Sequence, residues 1–254
     1  MKSKFSSDYI SPDKAKVLFP SLRFYVKLVS IIWKAGKKSR KGDYTGDDWI
    51  ADSTAVGEAM ESVGVKIHVE GTENILAVEG PCVIISNHMS TLETMLLPGI
   101  IQSVKDATFV VKNSLMRYPA MGDILKARDA IGVGRVNPRE DLQTVLTRGE
   151  AHLKNGRSVI LFPQGTRQPD VKAEDFSSLG EKLARRAQVP IVPIALKTDA
   201  WGTGRLVKDF GKIDPDIPVH VAVGKAMAIT GNGKEEHARC MEFILEKYRE
   251  FCSR

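Results

Sequence analysis

Apolar residues follow two different periods along the chain from residue 63 onward. Short apolar runs alternate with longer stretches in which apolar positions recur every three or four residues. The first pattern is typical of strands and the second of helices. The predicted strands lie at 65–69, 82–85, 107–111, 130–133, 158–162, 191–195 and 219–223, and the predicted helices at 91–103, 118–125, 137–153, 178–187 and 234–251. This alternation predicts an α/β fold with a mostly parallel central sheet flanked by helices, whose loops at the carboxyl ends of the strands build the site.

A separate apolar pattern precedes this region, between Pro20 and Lys34. Its polar residues form one narrow helical stripe, and apolar residues cover the rest: the stripe is Arg23, Lys27, Ser30 and Lys34. Such a helix is too short and too charged to span a bilayer, but it suits lying in the bilayer surface. A basic cluster follows, consisting of Lys37, Lys38, Arg40 and Lys41, and anionic headgroups attract such residues with about 1 kcal/mol each.

We therefore expect two parts, an N-terminal membrane-surface helix with a basic linker at 1–45 and an α/β domain at 46–254. Within this division, residues 42–48 are predicted to be linker and residues 49–62 a further helix. The alternative is that the first helix packs on the domain as a core helix, with a solvated basic loop after it.

Composition narrows the function classes. The net charge of +6 favours an anionic partner such as nucleic acid, anionic lipid or a phosphorylated substrate. With 7% aromatic residues, the stacking surface that a nucleic-acid binder needs is missing. The three cysteines lack metal spacing and indicate reduced thiols in a cytosolic compartment. We see no secretory signal and no spanning run of about 20 apolar residues.

Candidate chemistry follows the predicted strand at 82–85. His88 lies just past this strand, and Glu93 lies five positions later at the start of a predicted helix. An imidazole can take a hydroxyl proton near neutrality, and a carboxylate can hold its tautomer and stabilise the imidazolium. The alternative is a plain turn, with Ser90 or Thr91 as the helix N-cap and Glu93 favoured by the helix dipole.

Two arginines lie just past other predicted strands. Arg135 follows the strand at 130–133, and Gly165, Thr166 and Arg167 follow the strand at 158–162. Two guanidinium groups at adjacent strand ends can grip one phosphate, and a glycine lets the backbone approach a ligand closely. The alternative for each arginine is a solvated surface side chain. No Gly-x-Ser-x-Gly, Gly-x-Gly-x-x-Gly or P-loop motif is present, which argues against a serine hydrolase or a nucleotide enzyme.

Four blocks in this order resemble the glycerolipid acyltransferase family, above all the bacterial lysophosphatidic acid acyltransferases. Residues 87–93 resemble its Asn-His-x-x-x-x-Asp block, and residues 130–135 loosely resemble its Gly-x-Ile-x-x-x-Arg block. Residues 162–167 resemble Phe-Pro-Glu-Gly-Thr-Arg, and residues 189–194 match Val-Pro-Ile-Val-Pro-Ile in every letter. Residues 109–115 also resemble the family's Phe-Val-Ala-Lys-x-x-Leu. The resemblance covers roughly residues 63 to 223.

The resemblance implies direct acyl transfer from a thioester to the free hydroxyl of a lysophospholipid, converting lysophosphatidic acid to phosphatidic acid. His88 would remove the hydroxyl proton, and Glu93 would hold the imidazole. The implied substrate-binding residues are Asn87, Lys112, Arg135, Gln164, Gly165, Thr166 and Arg167. Among these, the arginines with Thr166 and the Gly165 backbone would bind the acceptor phosphate, and Lys112 would stabilise the oxyanion or bind the donor's phosphates. The implied donor is acyl-CoA or acyl-carrier protein, with no bound cofactor and no metal. The implied location is the cytoplasmic face of the cell membrane, as a peripheral protein on anionic lipid.

Two positions depart from the family pattern. Glu93 stands where the family has Asp, and the extra methylene should still let it reach His88. Gln164 stands where the family has Glu, which keeps a hydrogen-bonding oxygen but removes a charge. These departures leave open an acyltransferase for another lysolipid, for example an aminolipid, or a non-catalytic peripheral lipid-binding module.

Overall fold

The computed structural model describes residues 1–15, 17–205 and 207–253. Within them, eight strands form one sheet in the order β1-β2-β8-β7-β3-β6-β4-β5. The strands are β1 (Tyr9–Ile10), β2 (Ile67–Glu70), β3 (Val83–Ser86), β4 (Ala107–Lys112), β5 (Ile131–Val133), β6 (Ser158–Leu161), β7 (Ile191–Lys197) and β8 (Val219–Val223). The five strands β7, β3, β6, β4 and β5 run parallel, and so do β2 and β8, whereas β8 is antiparallel to β7 and β1 to β2. The mostly parallel sheet is confirmed.

Helices cover both faces of the sheet. They are α1 (Pro20–Arg40), α2 (Gly46–Glu61), α3 (Glu73–Leu76), α4 (Leu92–Ile101), α5 (Met121–Ala127), α6 (Pro138–Lys154), α7 (Leu179–Ala187) and α8 (Lys234–Ser253). Short 3₁₀ turns occur at Lys4–Ser6, Asn113–Arg117 and Ala173–Asp175. Successive side chains of a strand point to opposite faces. Ile84 of β3 therefore belongs to the buried apolar cluster that contains residues of α1, α2, α4 and α5, whereas Ile85 belongs to the cluster that contains residues of α6, α7 and α8.

The N-terminal residues contribute to the core of the α/β fold. Phe5 is fully buried in the apolar cluster on the α1 side of the sheet, and Tyr9 pairs with Val69 of β2. Tyr9 and Ser11 also donate hydrogen bonds to the buried carboxylate of Glu61, both at 2.6 Å. The strand at 65–69 is predicted as the first of the sheet, and this is wrong, because β1 precedes it. A division of the chain at residue 45 stays a prediction.

Helix α1 is longer than predicted and has two apolar faces. Phe24 and Leu28 are buried in the core, where α1 packs on α2 and α5. A second stripe at i, i+4, i+7 and i+11 is exposed, and consists of Leu22, Val26, Val29 and Trp33. The alternative of a core helix thus describes the face with Phe24 and Leu28, while the face with the second stripe is exposed and can contact a membrane surface.

The predicted basic linker is largely helical. Residues 37–40 form the last turns of α1. Thr45 caps α2 through a capping box with Asp48, so that α2 begins at Gly46 rather than at residue 49. Two basic residues at the end of α1 have partners, since Lys38 pairs with Asp48 and Arg40 with Asp123. In the described part of the chain, no helix combines the length with the hydropathy that crossing a bilayer requires.

Candidate active site

The turn after β3 is fixed to the neighbouring strand β7 by Asn87. Its side chain is fully buried. Its Nδ2 donates to the carbonyl oxygen of Leu196 at 2.7 Å, and its Oδ1 accepts from the N–H of Leu196 at 2.8 Å. Both ends of the amide are therefore used within the protein. Asn87 thereby holds the backbone next to His88 in place, and its full burial keeps its side chain away from the surface of the site.

His88 and Glu93 form the predicted pair. Nδ1 of His88 is hydrogen-bonded to Oε2 of Glu93. The His88 side chain is 16% exposed, whereas the Glu93 carboxylate is fully buried. A neutral imidazole that donates from Nδ1 to Glu93 presents the lone pair of Nε2 to a ligand. The pair thus has the connectivity that a general base and its orienting carboxylate need.

Burial of the Glu93 carboxylate is compensated by further hydrogen bonds. Its Oε1 accepts from the N–H groups of Met89 and Ser90 at 2.7 and 2.8 Å. It also accepts from Oγ1 of Thr198, which follows β7, at 2.5 Å. A buried charge needs such partners, because an unpaired carboxylate would cost several kcal/mol to bury. Ser90 also accepts from the N–H of Leu92, the first residue of α4, whereas Thr91 at the N-cap position makes no side-chain capping hydrogen bond. The catalytic role of the pair stays a prediction.

The loop after β6 holds His88 from the other side. Phe162 stacks on the imidazole with ring centroids 4.4 Å apart and planes inclined by 17°. The N–H of His88 donates to Oε1 of Gln164 at 2.7 Å, and the carbonyl oxygen of His88 accepts from the N–H of Gln168 at 2.9 Å. Gln164 therefore uses its oxygen on the backbone of His88. Its buried Nε2 has no acceptor among the described residues.

The remaining residues of this loop lie at the surface of the site. Gly165 has a φ of 70°, a conformation that favours glycine, and the space that a Cβ would occupy there is open. Thr166 is exposed, and its Oγ1 accepts a long hydrogen bond of 3.4 Å from Nε2 of Gln168. Both Gly165 and Thr166 therefore lie where a ligand can contact them.

Arg167 is already engaged in the protein. Its Nη1 donates to Oγ1 of Thr91, and its Nη2 lies 2.7 Å from Oδ1 of Asp209. Asp209 comes from a segment far along the chain, after β7. The local sequence around Arg167 carries no signal for this ion pair.

Arg135 lies further from His88 than expected. The expectation that Arg135 and Arg167 follow adjacent strands is wrong, because β4 lies between β5 and β6 in the sheet. Adjacent strands are about 4.8 Å apart, so the ends of β5 and β6 are about 10 Å apart. Arg135 is exposed with a φ of 59°, and Asp141 stabilises this turn by accepting from the N–H groups of Gly134 and Arg135 at 2.8 and 2.7 Å.

Lys112 ends the strand between these two arginines and is exposed. The carboxyl ends of β3, β6, β4 and β5 therefore present His88, Arg167, Lys112 and Arg135 in this spatial order. His88 thus lies at one end of this row of four side chains, and the other three are cations. Among the described residues, no group of three or more His, Cys, Asp or Glu side chains is placed to hold a metal ion.

Similarity to known proteins identifies the family of the chain. Residues 66–197 match a family model described as Acyltransferase. The chain belongs to this acyltransferase family. A 1-acyl-sn-glycerol-3-phosphate acyltransferase of Pseudomonas aeruginosa is 35% identical over 171 residues, which cover 67% of this chain and 62% of that protein. The chloroplastic 1-acyl-sn-glycerol-3-phosphate acyltransferase BAT2 of Brassica napus is 32% identical over 142 residues, 56% of this chain and 39% of that protein. The matches thus span less than two thirds of these curated relatives.

The fold is also shared with a solved acyltransferase. The crystal structure of the 1-acyl-sn-glycerophosphate (LPA) acyltransferase PlsC from Thermotoga maritima superimposes with a TM-score of 0.71. The match covers 92% of this chain and 95% of that chain, at 18% sequence identity. At this identity the likeness shows the fold, which confirms the α/β acyltransferase architecture.

Sequence reasoning missed Thr198 and Asp209. Thr198 lies four residues after the block at 189–194, and its only sequence signal is this closeness to a family block. Asp209 lies in a stretch with no recognised pattern. Both reach the site through tertiary contacts with residues more than 40 positions away.

Proposed function

We propose that this protein transfers a fatty acyl group from a thioester, acyl-CoA or acyl-carrier protein, to the free hydroxyl of lysophosphatidic acid. The products are phosphatidic acid and the free thiol of the donor. The observation that carries the proposal is the His88–Glu93 pair, in which a fully buried carboxylate engages Nδ1 and leaves Nε2 for a ligand. The names of the relatives from Pseudomonas aeruginosa and Brassica napus support this choice of acceptor.

The proposed reaction begins with proton transfer from the acceptor hydroxyl to Nε2 of His88. The hydroxyl oxygen forms a bond to the thioester carbonyl carbon, and the carbonyl oxygen takes up the negative charge. Collapse of this intermediate breaks the carbon–sulfur bond, and the imidazolium returns the proton to the departing thiolate. The buried negative charge of Glu93 stabilises the imidazolium between these steps.

The row of cations provides the electrostatic part of the proposal. Arg167 follows β6, the strand next to that of His88, and in this proposal it binds the phosphate of an acceptor whose hydroxyl is at Nε2. Gly165 and Thr166 extend the same loop. Lys112 and Arg135 lie two and three strands from His88, where they bind either the outer edge of this phosphate or the phosphates of the donor.

We also propose that α1 holds the protein on anionic lipid at the cytoplasmic face of the membrane. Its exposed apolar stripe adjoins a face that carries Arg23, Lys27 and Lys34, which fits a helix lying at headgroup level. The free thiols of Cys82, Cys240 and Cys252 support a reducing compartment.

A lysolipid panel tests the proposal. Purified protein is given acyl-CoA or acyl-carrier protein together with lysophosphatidic acid, a lysoaminolipid or monoacylglycerol, and the products are identified by mass spectrometry. We expect phosphatidic acid and thiol in equal amounts, and none from a His88→Ala protein. Preferred acylation of the aminolipid would assign a different acceptor. Binding to vesicles without thioester consumption for any acceptor would make the protein a lipid-binding module instead.

A further inference from the structure

Arg167 follows β6, the strand next to that of His88, and it is occupied by a carboxylate from the protein itself. Arg167 donates through Nη2 to Asp209 at 2.7 Å and through Nη1 to Thr91. Oδ1 of Asp209 also lies 3.4 Å from the Thr91 hydroxyl, so both partners sit at the same end of the guanidinium. This end is the fork that binds carboxylate and phosphate groups in the same way. Asp209 therefore stands where an acceptor phosphate would bind.

Asp209 belongs to a segment, residues 207–213, whose far end is fastened to α1. The carbonyl oxygen of Gly211 accepts from the hydroxyl of Tyr25 at 2.6 Å, and the N–H of Ile213 donates to Oγ of Ser21 at 2.9 Å. Phe210 packs against the ring of Tyr25 at a centroid distance of 5.4 Å. The 207–213 segment thus joins the helix that we place on the membrane to the arginine that we place on the acceptor.

The tip of this segment is apolar, basic and exposed. Val207 and Phe210 are 51% and 56% exposed, and Lys208 between them is exposed as well. Large apolar side chains interleaved with cations fit an anionic lipid surface, where the former enter the headgroup boundary and the latter meet phosphates. The tip lies beside Tyr25 on α1, so one bilayer surface can contact both.

We propose that the 207–213 segment is a gate on the acceptor site, which an anionic bilayer opens. Away from lipid, Asp209 holds Arg167 and excludes the acceptor phosphate. On the bilayer, Val207 and Phe210 move into the headgroup region and draw the carboxylate of Asp209 from Arg167. The carbonyl oxygen of Asp209 stays hydrogen-bonded to Nε1 of Trp201, and Ile213 stays fastened to α1. The inference rests on the proposed function, because it takes Arg167 as a phosphate-binding residue.

The exchange is electrostatically reasonable because a phosphate monoester carries about −1.5 to −2 charges at neutral pH and three acceptor oxygens. It therefore replaces a singly charged carboxylate that is only half-buried. In this proposal the bilayer weakens the competition between Asp209 and the acceptor phosphate for Arg167. Removing the charge of Asp209 should therefore have the same effect without a bilayer.

Kinetics with two forms of acceptor test the gate. Hexanoyl lysophosphatidic acid serves as a monomeric acceptor, and oleoyl lysophosphatidic acid in vesicles of phosphatidylglycerol and phosphatidylcholine serves as the bilayer form. For Asp209→Asn we expect the KM for the monomeric acceptor to fall about fivefold, the size expected for losing one partly exposed ion-pair competitor. The ratio of the rate with vesicles to the rate with the monomeric acceptor should fall as well, because the monomeric acceptor then no longer needs the bilayer. Asp209→Ala is a second variant, which removes the carboxylate and its hydrogen bond together, and thermal unfolding checks that both fold.

Phe210→Ser tests the lipid contact. We expect the ratio of vesicle to monomer rates to fall for Phe210→Ser and to stay unchanged for Leu76→Ser. Leu76 is the matched control, since it is equally exposed at 56% but lies on α3. An unchanged ratio for Phe210→Ser would overturn the bilayer contact.

Two outcomes would overturn the gate while leaving the proposed function intact. A higher KM for the monomeric acceptor in Asp209→Asn would show that Asp209 orients Arg167 rather than blocking it. An unchanged KM in both Asp209 variants would show that the carboxylate does not compete with the acceptor. Failure of the proposed function looks different, because the unmodified protein would then consume no thioester with any acceptor.

Discussion

Oγ1 of Thr198 donates a hydrogen bond of 2.5 Å to Oε1 of Glu93, from a turn that is 105 residues away along the chain. The same hydroxyl accepts from Oγ of Ser90 at 3.0 Å. Thr198 therefore joins the end of β7 to the start of α4 at the carboxylate that orients His88. We interpret it as a positioning residue, because it touches Glu93 and not the reacting atoms.

Replacing Thr198 with valine should lower activity without unfolding the protein. Valine keeps the shape but removes the hydroxyl, and the loss of one hydrogen bond to a buried charge costs about 1.5 to 3 kcal/mol. If the hydrogen bond matters mainly in the transition state, where Glu93 stabilises the imidazolium, kcat drops by about tenfold or more with little change in KM. Steady-state kinetics measures the change, and Thr198→Ser should restore most of kcat. A serine variant as weak as the valine variant would show that packing, not the hydroxyl, matters here.

Glu93→Gln tests the charge in the His88 pair. Glutamine has the shape of glutamate but cannot stabilise an imidazolium, and its amide nitrogen can occupy the place of Oε2, where it would donate to Nδ1. That would move the ring proton to Nε2, the atom that must accept the hydroxyl proton. We expect kcat to fall by about two to four orders of magnitude, the range for losing general base catalysis, with KM changed little. Retention of a tenth or more of kcat would contradict the assigned role, provided that His88→Ala is inactive.

Gln164 is expected to act through its oxygen rather than through a charge. Its Oε1 accepts from the N–H of His88, and a glutamate at this position could accept the same hydrogen bond. Gln164→Glu should therefore keep activity within a few-fold, whereas Gln164→Met leaves a buried N–H unpaired at a cost of about 1 to 3 kcal/mol. Melting temperature and kcat should both fall for the methionine variant. If both substitutions lower kcat and the melting temperature equally, the important contact is made by the amide nitrogen of Gln164 and not by its oxygen.

The two arginines should differ in their effect on the acceptor. Arg167 follows the strand next to His88, and Arg135 follows a strand three places away. Arg167→Ala should therefore raise the KM for lysophosphatidic acid by tenfold or more, since a hydrogen bond to a charged group contributes about 1.5 to 3 kcal/mol. Arg135→Ala should have a smaller effect. Monoacylglycerol, which lacks a phosphate, is the control acceptor, and equal losses for both acceptors would indicate a structural role.

The sequence predicts the longer elements and the mostly parallel sheet, but not the spatial order of the strands. The strand at 82–85 and the loop after it are short-range patterns, and they place His88 and Glu93 correctly. The spatial order of the strands depends on packing between distant segments, so the insertion of β4 between the two arginine-bearing strands has no local signal. β1 has only two residues, which is too short for a period to show. Asp209 and Thr198 act through tertiary contacts with residues far away in the chain, and such contacts leave no pattern in the sequence around them.

Membrane binding by α1 can be separated into an apolar part and a charged part. Deleting the N-terminal 41 residues would not achieve this, because Phe5, Phe24 and Leu28 are buried in the core and their loss would destabilise the whole fold. Substitutions on the exposed face are suitable instead. Val29→Ser with Trp33→Ser removes two side chains that are 56% and 61% exposed, and it should weaken vesicle binding at low and at high salt alike, because apolar burial is not screened.

Lys37→Glu with Lys41→Glu addresses the charged part, since both lysines are exposed near the end of α1. Each lysine near an anionic surface contributes about 1 kcal/mol, so we expect the double variant to bind phosphatidylglycerol vesicles at least tenfold more weakly at low salt. The difference from the unmodified protein should shrink as salt is added, because the Debye length falls to about 3 Å at 1 M. Lys225→Glu with Lys234→Glu changes the net charge equally, on exposed residues outside α1, and should bind nearly as well as the unmodified protein. If the two charge variants bind equally, attraction depends on overall charge and α1 is not the contact face.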